Sequence, residues 1–69
     1  MKKITITTEY ITLGQFLKLA DVISTGGEAK MFLASDALIL VNNQEDRRRG
    51  RKLRHGDIIQ IDDEKFVIE

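Results

Sequence analysis

The sequence predicts an α+β fold in which two short antiparallel helices pack on a small, mainly antiparallel sheet. A threonine followed three residues later by glutamine or glutamate occurs at Thr12 and again at Thr25, and each precedes an apolar helical pattern. β-branched residues alternate near the N-terminus, and short apolar runs separated by turn residues fill the C-terminal half. With 69 residues and no linker-like segment, the chain is expected to form a single domain over residues 1–69.

The N-terminal segment is predicted to form a strand followed by a helix. Ile4 and Ile6 alternate with threonine, a period-two pattern typical of a half-buried strand. The helix is predicted over about Leu13 to Asp21, with Thr12 as its capping residue. Its apolar face at helical spacing consists of Leu13, Phe16, Leu17 and Ala20.

A second short helix is predicted to begin near Gly26, after Thr25 and its capping partner Glu28. Glycine disfavours a helix interior by about 1 kcal/mol relative to alanine, so the pair Gly26 and Gly27 requires an explanation. Tight packing against the first helix is one explanation, and close approach of a ligand is the other. The apolar face of this helix consists of Ala29, Phe32 and Leu33.

The C-terminal half is predicted to contain three or more strands joined by turns. Residues 39–41 are apolar and β-favouring, and Asn42-Asn43 indicates a turn because asparagine tolerates the left-handed conformation. Gly56-Asp57 marks a second turn. Asp62-Asp63 marks a third, between two apolar runs that are expected to form a hairpin.

The composition disfavours enzymatic and metal-binding functions. The chain has no cysteine and one histidine, and it contains neither a glycine-rich phosphate loop nor a nucleophile motif. His55 is expected to be a solvated turn residue, with a phosphate contact as the alternative. The acidic residues 62–64 are expected to form a hairpin turn rather than a metal site. The sequence therefore predicts a protein that is not an enzyme and uses no cofactor, metal or small-molecule substrate.

The apolar segments are too short for a membrane span or a signal peptide. The longest continuous run extends only from Ala37 to Val41. The absence of cysteine is compatible with a reducing compartment. A cytoplasmic location with no membrane partner is therefore expected.

Basic residues are concentrated in one segment. Eleven basic and eleven acidic residues give a formal net charge of zero, but all five arginines fall between Arg47 and Arg54. Guanidinium groups pair bidentately with phosphate oxygens and stack on exposed bases, so this segment is a candidate nucleic-acid contact. A merely solvated loop is the alternative, and in either case such surface charges are expected to contribute little to stability. The candidate residues are Arg47, Arg48, Arg49, Arg51, Lys52 and Arg54.

Several short motifs follow one another over about residues 12–61. They are Leu13 and Leu17, the stretch Thr25-Gly26-Gly27-Glu28-Ala29-Lys30, Val41-Asn42, Leu53, Gly56-Asp57 and Ile59. Their order and spacing resemble the S-four-type RNA-binding domain, named after the fourth protein of the small ribosomal subunit. The small stand-alone bacterial members of that family are the most similar. The resemblance implies the alpha-L RNA-binding motif, in which two short helices and the loop after them contact RNA.

By this resemblance the partner is structured RNA, either ribosomal RNA in ribosome assembly or translation, or transfer RNA, and ribosomal particles are further expected partners. The alternative is a protein-interaction adaptor that uses the basic loop on an acidic protein surface. The departures from the family are Gly26 in place of an arginine, Asn43 in place of a glycine, and a longer turn at Ala34 to Ala37. The residues implied as RNA contacts are Thr25, Gly27, Lys30, Asn42 and the basic loop from Arg47 to Lys52, with Lys18 as a weaker candidate.

Overall fold

A computed structural model describes residues 1–69 and confirms the predicted fold class. Two short helices pack against each other and against strands of two sheets. The elements are β1 (Lys2–Ile4), β2 (Tyr10–Thr12), α1 (Leu13–Leu19), a 3₁₀ turn (Gly26–Glu28), α2 (Ala29–Leu33), β3 (Ile39–Val41), β4 (Gln44–Glu45), β5 (Lys52–Arg54), β6 (Ile58–Ile61) and β7 (Glu64–Ile68).

The larger sheet has five strands in the order β1-β7-β6-β3-β4, and the smaller sheet pairs β2 with β5. Every pairing is antiparallel except that of β1 with β7, where Lys3 lies opposite Val67 in a parallel register. The predicted N-terminal strand is therefore present. It ends at Ile4, and Ile6 extends it only through a backbone hydrogen bond to the Glu69 carbonyl.

The capping box predicted at the start of α1 is confirmed. The Thr12 hydroxyl accepts a hydrogen bond from the Gln15 N–H at 3.2 Å, and the Gln15 side chain accepts one from the Thr12 N–H at 2.9 Å. The helix ends at Leu19, earlier than predicted, because Asp21 adopts a left-handed φ of 62°. This turn lets the Leu17 carbonyl accept the N–H of Ile23, whose side chain is buried in the core.

The start of the second helix is tighter than predicted, since residues 26–28 form a 3₁₀ turn before α2. The Glu28 carboxylate accepts the Thr25 N–H at 3.1 Å, as the capping pattern requires. Tight packing does not explain the two glycines. A Cβ on Gly26 would have no atom within 4 Å, and one on Gly27 would meet only the Thr25 hydroxyl, at 3.9 Å.

The two-residue turn between β3 and β4 is confirmed, with φ of 51° at Asn42 and 69° at Asn43. The smaller sheet was not predicted. Each of its strands has three residues, too few for a periodic pattern, and the two strands are distant in the sequence. One of them occupies Lys52–Arg54, so the C-terminal part of the basic segment is a strand and not a loop.

The core is built around an edge-to-face contact between Phe16 of α1 and Phe66 of β7, whose ring centroids are 5.2 Å apart. Of the residues predicted for the apolar faces of the two helices, all are buried except Ala20 and Phe32, which are half-buried at the margin of the core. None of the helices has the length and apolar character needed to cross a membrane. The fold therefore fixes α1 firmly against the sheet, and α1 in turn positions the basic segment.

Candidate nucleic-acid interface

Residues 46–51, here called the arginine loop, connect β4 to β5 and dock on the N-terminus of α1. The Leu13 N–H donates to the Arg51 carbonyl at 2.8 Å, and the Gly14 N–H donates to the Arg49 carbonyl at 3.0 Å. The first N–H groups of a helix have no partner within the helix. Loop carbonyls satisfy them here, so the start of α1 binds the loop and is not open to an anion.

A buried carboxylate organises the arginine loop from within. Asp46 is only 9% exposed. One of its oxygens accepts hydrogen bonds from the Arg48 N–H at 3.0 Å and from Arg48 Nε at 3.1 Å. The other accepts from Arg48 Nη2 at 2.7 Å and from Arg51 Nη1 at 3.0 Å. These contacts neutralise part of the loop's charge and hold two guanidinium groups in fixed positions.

The same contacts perturb the acid–base properties of the pair. The hydrogen bond from the Arg48 side chain, assisted by those from its backbone N–H and from Arg51, holds the pKa of Asp46 far below its ordinary value of 3.8. Burial acts in the opposite direction and is outweighed. The pKa of Arg48 is raised by the same pairing. Both groups therefore remain charged across the physiological range.

Arg47 is part of the structure rather than of the open surface. Its guanidinium donates to the Leu33 carbonyl at 3.0 Å, to the Ser35 carbonyl at 2.9 Å and to the Ala37 carbonyl. The last carbonyls of a helix lack partners within the helix, and Arg47 caps that of Leu33 at the end of α2 together with two carbonyls of the turn that follows. It thereby fixes the path of the turn from Ala34 to Ala37. Arg47 is therefore not the exposed surface charge on which the expectation of little contribution to stability was based.

Arg49 is the least restrained of the loop arginines. Its exposed guanidinium makes one long hydrogen bond, 3.4 Å to the Gly26 carbonyl. It lines a depression of about 250 Å³ together with Lys18 and Gly26, and a second depression of about 280 Å³ together with Lys30. The structure therefore brings Lys18 and Lys30, from the two helices, to either side of Arg49.

The other side of the arginine loop borders a groove of about 660 Å³, here called the basic groove. Four cationic side chains face one carboxylate there, and no apolar side chain lines it. The carboxylate, Asp57, is already engaged by the Asn42 amide at 3.1 Å and the Arg54 N–H at 2.8 Å. The lining residues are Arg48, Gly50, Arg51, Lys52, Arg54 and Asp57.

Three of the residues predicted as contacts line neither the basic groove nor the depressions around Arg49. Asn42 uses both ends of its amide within the fold, donating to Asp57 and accepting the Ile58 N–H at 3.0 Å. The Thr25 hydroxyl donates to Glu28 at 3.3 Å. Gly27 is the middle residue of the 3₁₀ turn and lines neither depression.

His55 is exposed, and its Nε2 lies 3.2 Å from the Thr8 carbonyl.

Sequence reasoning missed Tyr10. This residue is 39% exposed, with Lys52 Nζ 4.9 Å and the Arg54 guanidinium carbon 5.6 Å from the centroid of its ring. The only available signal was the alternation of Tyr10, Ile11 and Thr12 over three residues. Asp46 was also missed, because an acid beside arginines in the sequence is ordinarily a solvated one.

Comparison with known proteins yields one family and a close relative. The sequence model of the S4 domain matches residues 4–69. A curated protein of Bacillus subtilis (strain 168), named "Probable ribosome maturation protein RlbA", is 63% identical over 59 residues, which cover 86% of this chain and 82% of the relative. No solved structure matches the chain at a significant level.

Proposed function

The chain belongs to the S4 domain family, and from this premise we propose that it is a non-enzymatic module that binds structured RNA. The relative named as a ribosome maturation protein supports a ribosome-related role and makes ribosomal RNA the first candidate, with transfer RNA the second. In this proposal the arginine loop and the lysines beside it bind the RNA backbone. The protein positions RNA and performs no reaction on it.

The observation that carries the proposal is the separation of charge within a neutral molecule. Of the eleven basic residues in the chain, seven besides Arg47 line the basic groove or the depressions around Arg49. Arg47 is not counted among them, because its guanidinium is used to cap the end of α2. The acids near them include Asp57, engaged in the fold, Asp46, buried beneath the loop, and Glu28, whose carboxylate accepts backbone N–H groups. The seven are Lys18, Lys30, Arg48, Arg49, Arg51, Lys52 and Arg54.

Preorganisation supports a phosphate-binding role for the loop. Asp46 holds Arg48 and Arg51 from below, while most of the Arg48 side chain remains exposed. A guanidinium already fixed in place loses less conformational freedom when it binds a phosphate. The backbone of the loop is likewise fixed by its hydrogen bonds to α1. The site is therefore a rigid cationic surface and not a flexible basic tail.

The open glycines are consistent with close approach of RNA beside Arg49. An added Cβ would meet no atom within 4 Å at Gly26 and only the Thr25 hydroxyl, at 3.9 Å, at Gly27, so packing gives no reason for glycine at either position. The nearby Glu28 carboxylate is turned onto the backbone N–H groups of Ser24 and Thr25. This arrangement lowers its repulsion of a phosphate near Lys30.

The direct test is fluorescence anisotropy with a labelled hairpin RNA and a DNA duplex of equal charge across a salt series. Four to six phosphate contacts predict a slope of about −3 to −5 for the logarithm of affinity against the logarithm of salt. Because a compact module recognises RNA by shape and by exposed loops, the hairpin is expected to bind more tightly than the duplex. Equal affinities would reduce the protein to a general polyanion binder and overturn the proposal.

A triple variant distinguishes RNA binding at this surface from a general effect of the protein's net charge. Changing Lys18, Lys30 and Arg49 to glutamine is expected to weaken RNA binding and to make the salt slope shallower by about 2 to 3, the value for three lost contacts. The control is a triple glutamine variant that removes the same charge from Lys2, Lys3 and Lys65 on β1 and β7. The control should bind RNA almost as the unmodified protein does. Equal losses in both variants would contradict a localised site.

Crosslinking in cells followed by sequencing of the attached RNA would identify the target. Enrichment of ribosomal RNA is the expected result, and transfer RNA would support the second candidate. A protein partner that remains bound after nuclease treatment, with no enriched RNA, would instead support an adaptor that uses the basic surface on an acidic protein.

A further inference from the structure

The aromatic residues of the chain are divided between the core and the surface. The chain has three phenylalanines and one tyrosine. Phe16 and Phe66 are buried against each other, and Phe32 packs at the margin of the core. Tyr10 alone among the four lies outside the core, on a three-residue strand. Among the exposed large hydrophobic side chains of the chain, Tyr10 is the only aromatic one.

The register of the smaller sheet determines what accompanies this ring. Tyr10 lies directly opposite Arg54, and Lys52 is its diagonal neighbour on the same face. The alternate residues Ile11 and Leu53 point to the other face and are buried. The outer face therefore presents one aromatic ring with two cations, and both cations also line the basic groove.

The ring has open space beside it that these two cations do not fill. Tyr10 lines a depression of about 480 Å³ with five neighbours, one of them acidic, and neither Lys52 nor Arg54 lines that depression; the five are Thr8, Glu9, Ile11, Thr12 and Gln15. Tyr10 thus lies between the basic groove and this second depression. A planar group could lie on the ring while a charge attached to it remained within reach of the two cations.

Stabilisation of the sheet does not account for the tyrosine. At an exposed site a cation–π contact contributes little to folding. A threonine or valine would satisfy strand propensity equally well, and Leu53 and Ile11 already anchor the strand pair in the core. The residue type is explained better by a ligand with a flat π-face and an attached anionic group.

We infer that Tyr10 is a stacking site for an unpaired RNA base, and that Lys52 and Arg54 bind the phosphates on either side of that base. This inference rests on the proposed RNA-binding function and deepens it. Aromatic rings interleaved with cations recognise unpaired nucleotides, because every base can stack on the ring while the cations follow the backbone. The preferred ligand is then an RNA with a bulged or looped nucleotide next to a helix, rather than a continuous duplex.

The experiment compares two RNAs that differ in one nucleotide. One is a fully paired hairpin, and the other carries a single bulged 2-aminopurine, whose fluorescence falls when it stacks. Tyr10→Ala is expected to weaken binding of the bulged RNA by about 5- to 150-fold, the range for loss of one base–aromatic stack, and to change binding of the paired RNA much less. Tyr10→Phe should retain both the affinity and the quenching, because the ring is what stacks.

Leu38→Ala is a matched control, since Leu38 is 43% exposed and lines neither the basic groove nor the depression beside Tyr10. Tyr10→Leu keeps apolar contact on the strand and serves if the alanine variant does not fold. Equal losses of affinity for the two RNAs when the ring is removed by Tyr10→Ala or Tyr10→Leu, or no quenching with the unmodified protein, would overturn the inference. If the unmodified protein binds neither RNA, the proposed function itself fails, which is a distinguishable result.

Discussion

Arg49 lies directly across the N-terminus of α1 from Gly14. The Arg49 carbonyl accepts the Gly14 N–H at 3.0 Å, and a Cβ on Gly14 would lie 2.9 Å from Arg49 Cγ and 3.5 Å from the Arg49 carbonyl oxygen. A side chain at this position would therefore displace the Arg49 side chain, whereas its distance to the loop carbonyl would be an ordinary van der Waals contact. The glycine in the first turn of α1 leaves room for the Arg49 side chain beside the docked loop.

Gly14→Ala should consequently destabilise the protein, although alanine is the better helix former by about 1 kcal/mol. Overpacking of this kind costs about 1 to 3 kcal/mol. Gly26→Ala is the matched comparison, because no atom lies within 4 Å of the added Cβ, and it should stabilise by about 0.4 to 1 kcal/mol. Urea denaturation measures both changes. If the two variants were equally stable, the Arg49 side chain would move away from the added methyl group without lowering the free energy of unfolding.

Replacing Arg47 should affect stability, unlike replacing Arg49. Arg47→Gln leaves the carbonyls of Leu33, Ser35 and Ala37 without their donor, and a loss of about 1 to 3 kcal/mol is expected. Arg47→Lys should recover little, because an ammonium lacks the planar fork. Arg49→Gln is expected to change stability by less than about 0.5 kcal/mol. Thermal melting of the three variants tests this order, and a neutral Arg47→Gln would contradict the capping role.

Acid should destabilise the protein through Asp46. Its pKa is lowered in the folded state, chiefly by Arg48, so the folded protein binds the proton less readily than the unfolded chain. The stability contributed by Asp46 is therefore fully present above the unfolded pKa and is lost progressively as the pH falls below about 4. Urea midpoints measured from pH 7 to pH 2 should decline more for the unmodified protein than for Asp46→Asn. Parallel declines would exclude Asp46 as a source of the acid sensitivity.

Truncation of the core side of α1 should be strongly destabilising. Leu17 is fully buried between α1 and the sheet, and Leu17→Ala should cost about 2 to 5 kcal/mol. Leu19, 57% exposed on the same helix, is the control, and Leu19→Ala should change stability by less than about 0.5 kcal/mol. Chemical denaturation gives both values. A small loss at Leu17 would mean that the core lies elsewhere.

The local elements of this protein were predictable because each depends on neighbours in the sequence. The bond between Thr12 and Gln15 spans three residues, and the Asn42-Asn43 turn depends only on the left-handed tolerance of asparagine. The apolar faces of the helices identified Phe16 and Leu17 as core. These patterns, together with their order along the chain, were sufficient to indicate the family.

The tertiary structure alone decided what each arginine does. The five arginines are chemically identical and nearly adjacent, but Arg47 reaches the Leu33 carbonyl 14 residues away while Arg49 remains largely free. The pairing of β2 with β5 placed Tyr10 beside two cations. Contacts between distant segments depend on how the whole chain packs, and no local pattern encodes them. The sequence determined that the chain has a basic segment, and packing determined which of its charges face outward.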